Sequence, residues 1–171
     1  MPFYNISLKG TGSGTTSAGG GNGGSLMLTV VPWPDSSNNS GVLTENHDNT
    51  NHINFYRWTS GSAGQDYDLV LQFKIPTGFT AFPAGAISLK VRSNNAANNP
   101  LTISLYDGSG TVDPGVDGAD IKPASNNTWT AKTDTPTATY AVGDICHLHI
   151  HMGNQLANDT VDAGDLYISF T

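Results

Sequence analysis

The sequence predicts an all-β protein: an antiparallel β-sandwich, jelly-roll-like, entered through an extended Gly-rich N-terminal arm. Three observations lead there. The 171 residues include a single Glu, Glu45, and few of the straight-chain side chains that favour helices. Thr, Val, Ile and aromatic residues fill the apolar segments, where they suit a pleated surface. Twenty Gly and nine Pro cut those segments into short runs, the rhythm of strands and turns.

Two regions follow from composition. Residues 1–25 form an arm and a Gly/Ser-rich linker, and residues 26–171 form the sandwich domain. Within the arm, Tyr4, Ile6 and Leu8 alternate with Asn5 and Ser7, an amphipathic strand suited to pairing with an exposed sheet edge of a partner. The same pattern equally describes a first strand of the chain's own sheet. The tract GTGSGTTSAGGGNGG that follows contains nothing to pack a core and reads as a flexible coil.

The domain then reads as a series of strands. Leu26–Val31 is a nearly continuous apolar run, stopped by Pro32 and Pro34, and a loop follows at Asp35–Ser40. His47 and His52 fall in an Asn-rich loop, ahead of an aromatic strand at Ile53–Trp58 and a turn at Ser60–Gly64. Tyr67–Ile75 places Leu69, Leu71, Phe73 and Ile75 on one face against Asp68, Gln72 and Lys74 on the other. Ile87, Leu89 and Val91 alternate with polar residues, and so do Leu101, Ile103 and Leu105 before the turn DGSG. Fainter strands lie near Thr128–Lys132 and Thr137–Ala141, and Ile145–Met152 and Leu166–Phe170 close the series. Strict alternation means sheets with one buried and one solvated face, and two such sheets stack as a sandwich. The expected core is Leu69, Leu71, Phe73, Ile87, Leu89, Val91, Leu101, Ile103, Leu105, Leu148, Ile150, Leu166, Ile168 and Phe170. Long uneven loops and the lack of a Cys…Trp…Cys pattern favour a jelly roll over an immunoglobulin-like sandwich.

Charge and cysteine content exclude several functions. The net charge is −7, and the seven Lys and Arg residues form no linear cluster, so neither nucleic acid nor an anionic membrane is an expected partner. Cys146 is the single cysteine, which rules out an intrachain disulfide. No basic region followed by an apolar stretch opens the chain, so no signal peptide is expected, and no run reaches the ~20 apolar residues of a membrane helix.

The sharpest local feature is His147-Leu148-His149-Ile150-His151. On a strand, three imidazoles then line one face while Cys146, Leu148, Ile150 and Met152 line the other. Imidazole is a common transition-metal ligand. Nothing else in a single chain obviously completes a coordination shell, so the expectation is a polar row at a surface or subunit contact, without a metal or other cofactor. Asp113, Asp117 and Asp120 offer oxygen ligands for a hard cation, but their spacing departs from the EF-hand pattern, and Asp and Gly are ordinary turn residues. Asp159, Asp162 and Asp165 form a second candidate of that kind. Asp66 and Asp68 share a strand face but stand too close to straddle a sugar. No nucleophile elbow or phosphate-binding spacing occurs in usable context, Cys146 has apolar alternation partners, and no enzymatic activity is expected. Trp33, Trp58 and Trp129 are candidates for a sugar-stacking platform, or else for core or interface packing.

The stretch FYRWTSGSAGQDYDLVLQFKIPTGFTAFPAGAISLKVRS, with LTISLYDGSG and the closing GDLYISF, resembles small jelly-roll capsid decoration or auxiliary head proteins of tailed bacteriophages. The resemblance covers roughly Phe55 to the C-terminus and lies in strand order, turn positions and aromatic placement. It implies no catalytic residue. It implies a virion structural protein assembled in the host cytoplasm, forming a homo-oligomer and docking on the major capsid protein or other virion subunits. Tyr4, Ile6 and Leu8 would make the strand-addition contact. The alternative is a carbohydrate-binding module or the receptor-binding tip of a fibre.

Overall fold

In a computed structural model of the protein, the described residues are 24–25, 29–33 and 40–171. Tyr4, Ile6 and Leu8 therefore lie outside them. Eleven strands occur among the described residues: β1 (Gly24–Ser25), β2 (Thr29–Trp33), β3 (Gly41–Asp48), β4 (Ile53–Ser60), β5 (Asp66–Lys74), β6 (Ile87–Ser93), β7 (Leu101–Tyr106), β8 (Ala119–Asp120), β9 (Thr130–Asp134), β10 (Ile145–Gly153) and β11 (Thr160–Phe170).

The strands form two antiparallel sheets. The first has the order β3-β4-β11-β6-β9, with β1 paired to the end of β11, and the second has the order β2-β5-β10-β7-β8. Successive strands change sheet, β4 to β5, β5 to β6, β6 to β7 and β10 to β11, the crossing pattern of a jelly roll. The chain is an antiparallel β-sandwich.

Side-chain alternation decides what lies between the sheets. Leu69, Leu71 and Phe73 from β5, Leu101, Ile103 and Leu105 from β7, and Leu148 and Ile150 from β10 meet Ile87, Leu89, Val91, Val161 and Ile168 from the other sheet. Trp58 is fully enclosed among them. Of the residues nominated for the core, Phe170 alone is only half-buried, at the end of β11 where Gly24 is its backbone partner.

Several local expectations fail for identifiable reasons. His47 lies on a strand and not in a loop: β3 is an edge strand exposed along most of its length, so no buried face imposes an alternating pattern. His52, at φ 55°, sits in the turn that leads into β4. Pro32 does not stop β2, which continues to Trp33, because β2 is an edge strand with one side free of ladder hydrogen bonds. Thr137–Ala141 is not a strand; its backbone amides turn instead toward Asp113. β11 begins at Thr160, well before Leu166. Gly164 permits its close approach to β4, since a Cβ there would collide with the Asn54 carbonyl and Phe55. A register shift between Gly164 and Tyr167, with Asp165 at φ 45°, then resets the strand.

Candidate functional site

The histidine row lies on the outer face of the second sheet, at its centre. Its strand β10 is paired on both sides, so three cross-strand rows are fixed: Gln72–His147–Tyr106, Val70–His149–Ser104 and Asp68–His151–Thr102. Rows follow one another at ~6.6–7 Å along the strand. The opposite side of β10, Cys146, Leu148, Ile150 and Met152, is buried, which holds the row rigidly.

Each imidazole has a different environment. The Gln72 side-chain nitrogen lies 3.0 Å from His147 Nε2. An amide nitrogen only donates, so Nε2 accepts and the neutral ring carries its proton on Nδ1. His149 packs against Tyr106, with ring centroids 4.7 Å apart and planes tilted by 53°. Burial holds His149 below the ordinary histidine pKa; the nearby charge of Asp68 opposes that shift and His147 adds to it. His151 places Nδ1 3.0 Å from Asp68 Oδ1 and Nε2 4.0 Å from Asp66 Oδ2.

Beside His147 and His149 the surface sinks into an open cleft of about 400 Å³, lined by Tyr106, Asp107, Gly108, Ser109, Gly110 and the two imidazoles. That volume falls within the range of small-molecule sites. Its rim is a tight turn braced by Asp107, whose carboxylate accepts from Ser109 Oγ at 2.6 Å, Ser109 N at 2.9 Å and Thr111 N at 2.9 Å. Those donors, the Ser109 hydroxyl foremost, hold the Asp107 carboxyl below the usual carboxylate range. Gly110, at φ 86°, supplies the left-handed residue the turn requires.

The other candidates separate. Asp113 is 1% exposed and accepts from Gly115 N, Thr137 N and Oγ1, Ala138 N and the Tyr140 hydroxyl. Burial works against its charge, yet these donors outweigh it and keep the pKa low. Its lone pairs thus tie the 113–116 turn to the 137–140 segment. Asp117 is exposed, and Asp120 pairs with Lys122 at 3.3 Å. Asp159 accepts from Asn95 and Leu156 N, Asp162 lies under two arginines on β11, and Asp165 pairs with Lys90 at 3.2 Å. Among the described residues no three His, Cys, Asp or Glu side chains converge as a metal site. The Cys146 thiol is enclosed, and burial pushes its pKa up to about 12.

The three tryptophans do not make one platform. Trp58 belongs to the core, and Trp129 packs on the first sheet, its Nε1 donating to Asp48 at 2.7 Å and Arg92 lying 4.4 Å over its ring. The backbone of Trp33 is in register with Asp68 on the histidine face. Sequence reasoning missed Tyr106 and Gln72 as members of the site. Their outward position followed from the strand phase, but their pairing with β10 did not.

No protein-family model matches the chain, and no curated protein is significantly similar to it. Solved structures share its architecture. The enzymatically active domain of tailspike protein 4 of bacteriophage CBA120 superposes with a TM-score of 0.51 at 10% identity, over 84% of this chain and 19% of that one. The likeness is one of fold. This chain thus spans about a fifth of that tailspike domain's length. TmCBM61, solved with β-1,4-galactotriose, gives 0.47 at 11% identity, over 84% of this chain and 87% of that one. The family 11 carbohydrate-binding module of a Clostridium thermocellum cellulosomal cellulase gives 0.42 at 13% identity, over 90% and 91%.

Proposed function

We propose that the chain is a carbohydrate-binding β-sandwich without catalysis of its own, and that it holds an oligosaccharide in the cleft beside Tyr106, His147 and His149. The observation that carries this reading is the cleft itself: a rigid, open site where one aromatic ring adjoins a set of short polar groups. Sugars present apolar C–H faces and a fringe of hydroxyls. A ring such as Tyr106 suits the first, and His147 Nδ1–H as donor with the Asp107 carboxylate and Ser109 Oγ as acceptors suit the second. Supporting groups locked by sheet register reduce the ordering cost of binding.

Its setting in this proposal is a virion, as the resemblance of the stretch from Phe55 onward implies; a sandwich of the same fold within a phage tailspike is in keeping with that setting. Docking on a shell through Tyr4, Ile6 and Leu8 is the other reading of the sequence, and it rests on residues outside the described ones.

Glycan-array screening of the full chain, followed by titration calorimetry on the hits, tests the reading. Tyr106→Ala should weaken binding roughly tenfold, given about 0.5–1.5 kcal/mol for an aromatic contact beyond its buried area. Undiminished binding by Tyr106→Ala would move the site elsewhere, and no hit at all would end the proposal.

A further inference from the structure

We infer that the cleft takes an uncharged glycan and turns away sugars bearing carboxylate or sulfate, an inference that rests on the glycan-binding reading above. The charges on this face of the molecule carry it. Asp66 and Asp68 flank His151 at one end of the row, and Asp107 braces the rim at the other. Asp120 stands opposite Thr102 on the neighbouring strand.

Cations are few there. Lys122 is bridged to Asp120 at 3.3 Å, and Lys74, one row beyond Gln72 and His147, carries its stem away toward Gly143. The other described cations serve the opposite sheet: Arg57 and Arg92 both hold Asp162, Lys90 holds Asp165, and Lys132 lies on β9. Among the described residues no Lys or Arg lines the cleft.

Recognition of a carboxylate or sulfate is ordinarily built from guanidinium or ammonium groups, which supply charge and directed donors together. Here an anionic sugar would instead meet the Asp107 carboxylate, with Asp68 one row beyond His149. A like charge within about 7 Å costs roughly threefold in affinity in water at low salt. The net charge of −7 adds long-range repulsion against a polyanionic chain. Neutral hydroxyls face no such penalty and match the donors and acceptors that line the site.

His149 makes this selection sensitive to acid. Its protonation would place a positive charge against Tyr106, in the same cleft as Asp107 and one row from Asp68. The cleft would then carry charge of both signs, and the discrimination should narrow.

The test uses the full chain with hexose oligosaccharides and their uronate counterparts of equal length and linkage. Affinities are compared at about pH 7.5 and about pH 5, in about 0.02 M and about 0.3 M salt. Neutral members should bind more tightly by about threefold or more at pH 7.5 and low salt, with the ratio shrinking at high salt and at pH 5. Asp68→Asn, checked for folding by its melting curve, should shrink the ratio by up to about twofold. Uronates binding as tightly as hexoses at pH 7.5 in low salt would overturn this inference and leave the glycan-binding reading standing. Failure to bind either series, with no other glycan bound on the array, would overturn both.

Discussion

The outer faces of the two sheets solve the same problem in opposite ways. On the first sheet, Arg57 grips Asp162 with two bonds, Nε to Oδ1 at 2.8 Å and Nη2 to Oδ2 at 2.9 Å, and Arg92 Nε adds a third at 2.8 Å. Arg92 also stacks on Trp129, whose indole N–H is held by Asp48, and both guanidinium groups lie over the Phe55 ring. Each of these charges is answered within the chain. The second sheet presents instead three imidazoles, a half-buried tyrosine and a pre-braced turn around an open cleft. A face whose charged groups satisfy one another stabilises the fold; a face that leaves donors directed outward is available to a ligand. The two faces back on one core, so a substitution can be aimed at either without disturbing the other.

The largest expected effect tests the closed face. Asp162 is 1% exposed, and Asp162→Ala would leave Arg57 and Arg92 without their shared partner. Breaking a buried pair by removing one member costs about 3–5 kcal/mol. Arg57 is about one-third exposed, and water will answer part of its charge, so the lower end of that range is the expectation for the equilibrium unfolding free energy. A loss below about 1 kcal/mol would mean that this network is decoration on a fold held by other means.

A second pair of variants contrasts the two sides of one strand. Leu148 is fully enclosed, so Leu148→Ala should cost about 2–5 kcal/mol from lost burial and the cavity left behind. Among the described residues His147, one residue earlier on the outer face, bonds to the exposed Gln72 side chain alone. His147→Ala should change stability by no more than about 0.5 kcal/mol while weakening glycan binding. Equal destabilisation by the two would contradict the division of β10 into a core side and a binding side.

That division is also where the sequence was most legible. In β5, β6, β7 and β10 a two-residue period separates apolar from polar side chains, and the structure keeps the phase in all four. The histidine row faced outward as the same rule requires. Legibility fails where no buried face writes a pattern. β3, exposed along most of its length, reads as loop around His47, and the first half of β11, where Asp162 alternates with Val161 and Ala163, shows only a set of spaced carboxylates. Asp162 then looks like a cation ligand because its answering charges, Arg57 and Arg92, come from β4 and β6, far away in sequence. The cleft was hidden for the same reason. Tyr106 and His149 are 43 positions apart, and pairing between β7 and β10 is a property of topology that local composition does not carry. Tryptophan placement is ambiguous too: one in the core and one on a surface have similar neighbours in the chain, and only the register separates Trp58 from Trp129.

The smallest expected effect concerns acid, and its sign follows from His149. Burial lowers the pKa of this imidazole in the folded state relative to the unfolded chain, where it lies near 6.5. Between the two values the unfolded state binds more protons than the folded one, so stability rises with pH there and falls as the solution is acidified. Above pH ~6.5 both states are neutral at this residue and the contribution is flat; below the folded pKa both are charged and the penalty has reached its limit. His149→Gln removes the titrating group while keeping a polar side chain beside Tyr106. The difference in unfolding free energy between the parent and this variant should therefore be constant above pH ~7 and drift in the variant's favour as pH falls through 6. Other groups on the face, Asp66, Asp68 and His151 among them, are common to both proteins, so most of their own titration cancels in the difference. Denaturant unfolding of the two proteins at half-unit steps from pH ~5 to ~8 reads it directly. A difference that drifts toward the parent in acid would mean that protonated His149 is stabilised on this face, with the Asp68 charge outweighing burial, and the face would then be a site that gathers positive charge.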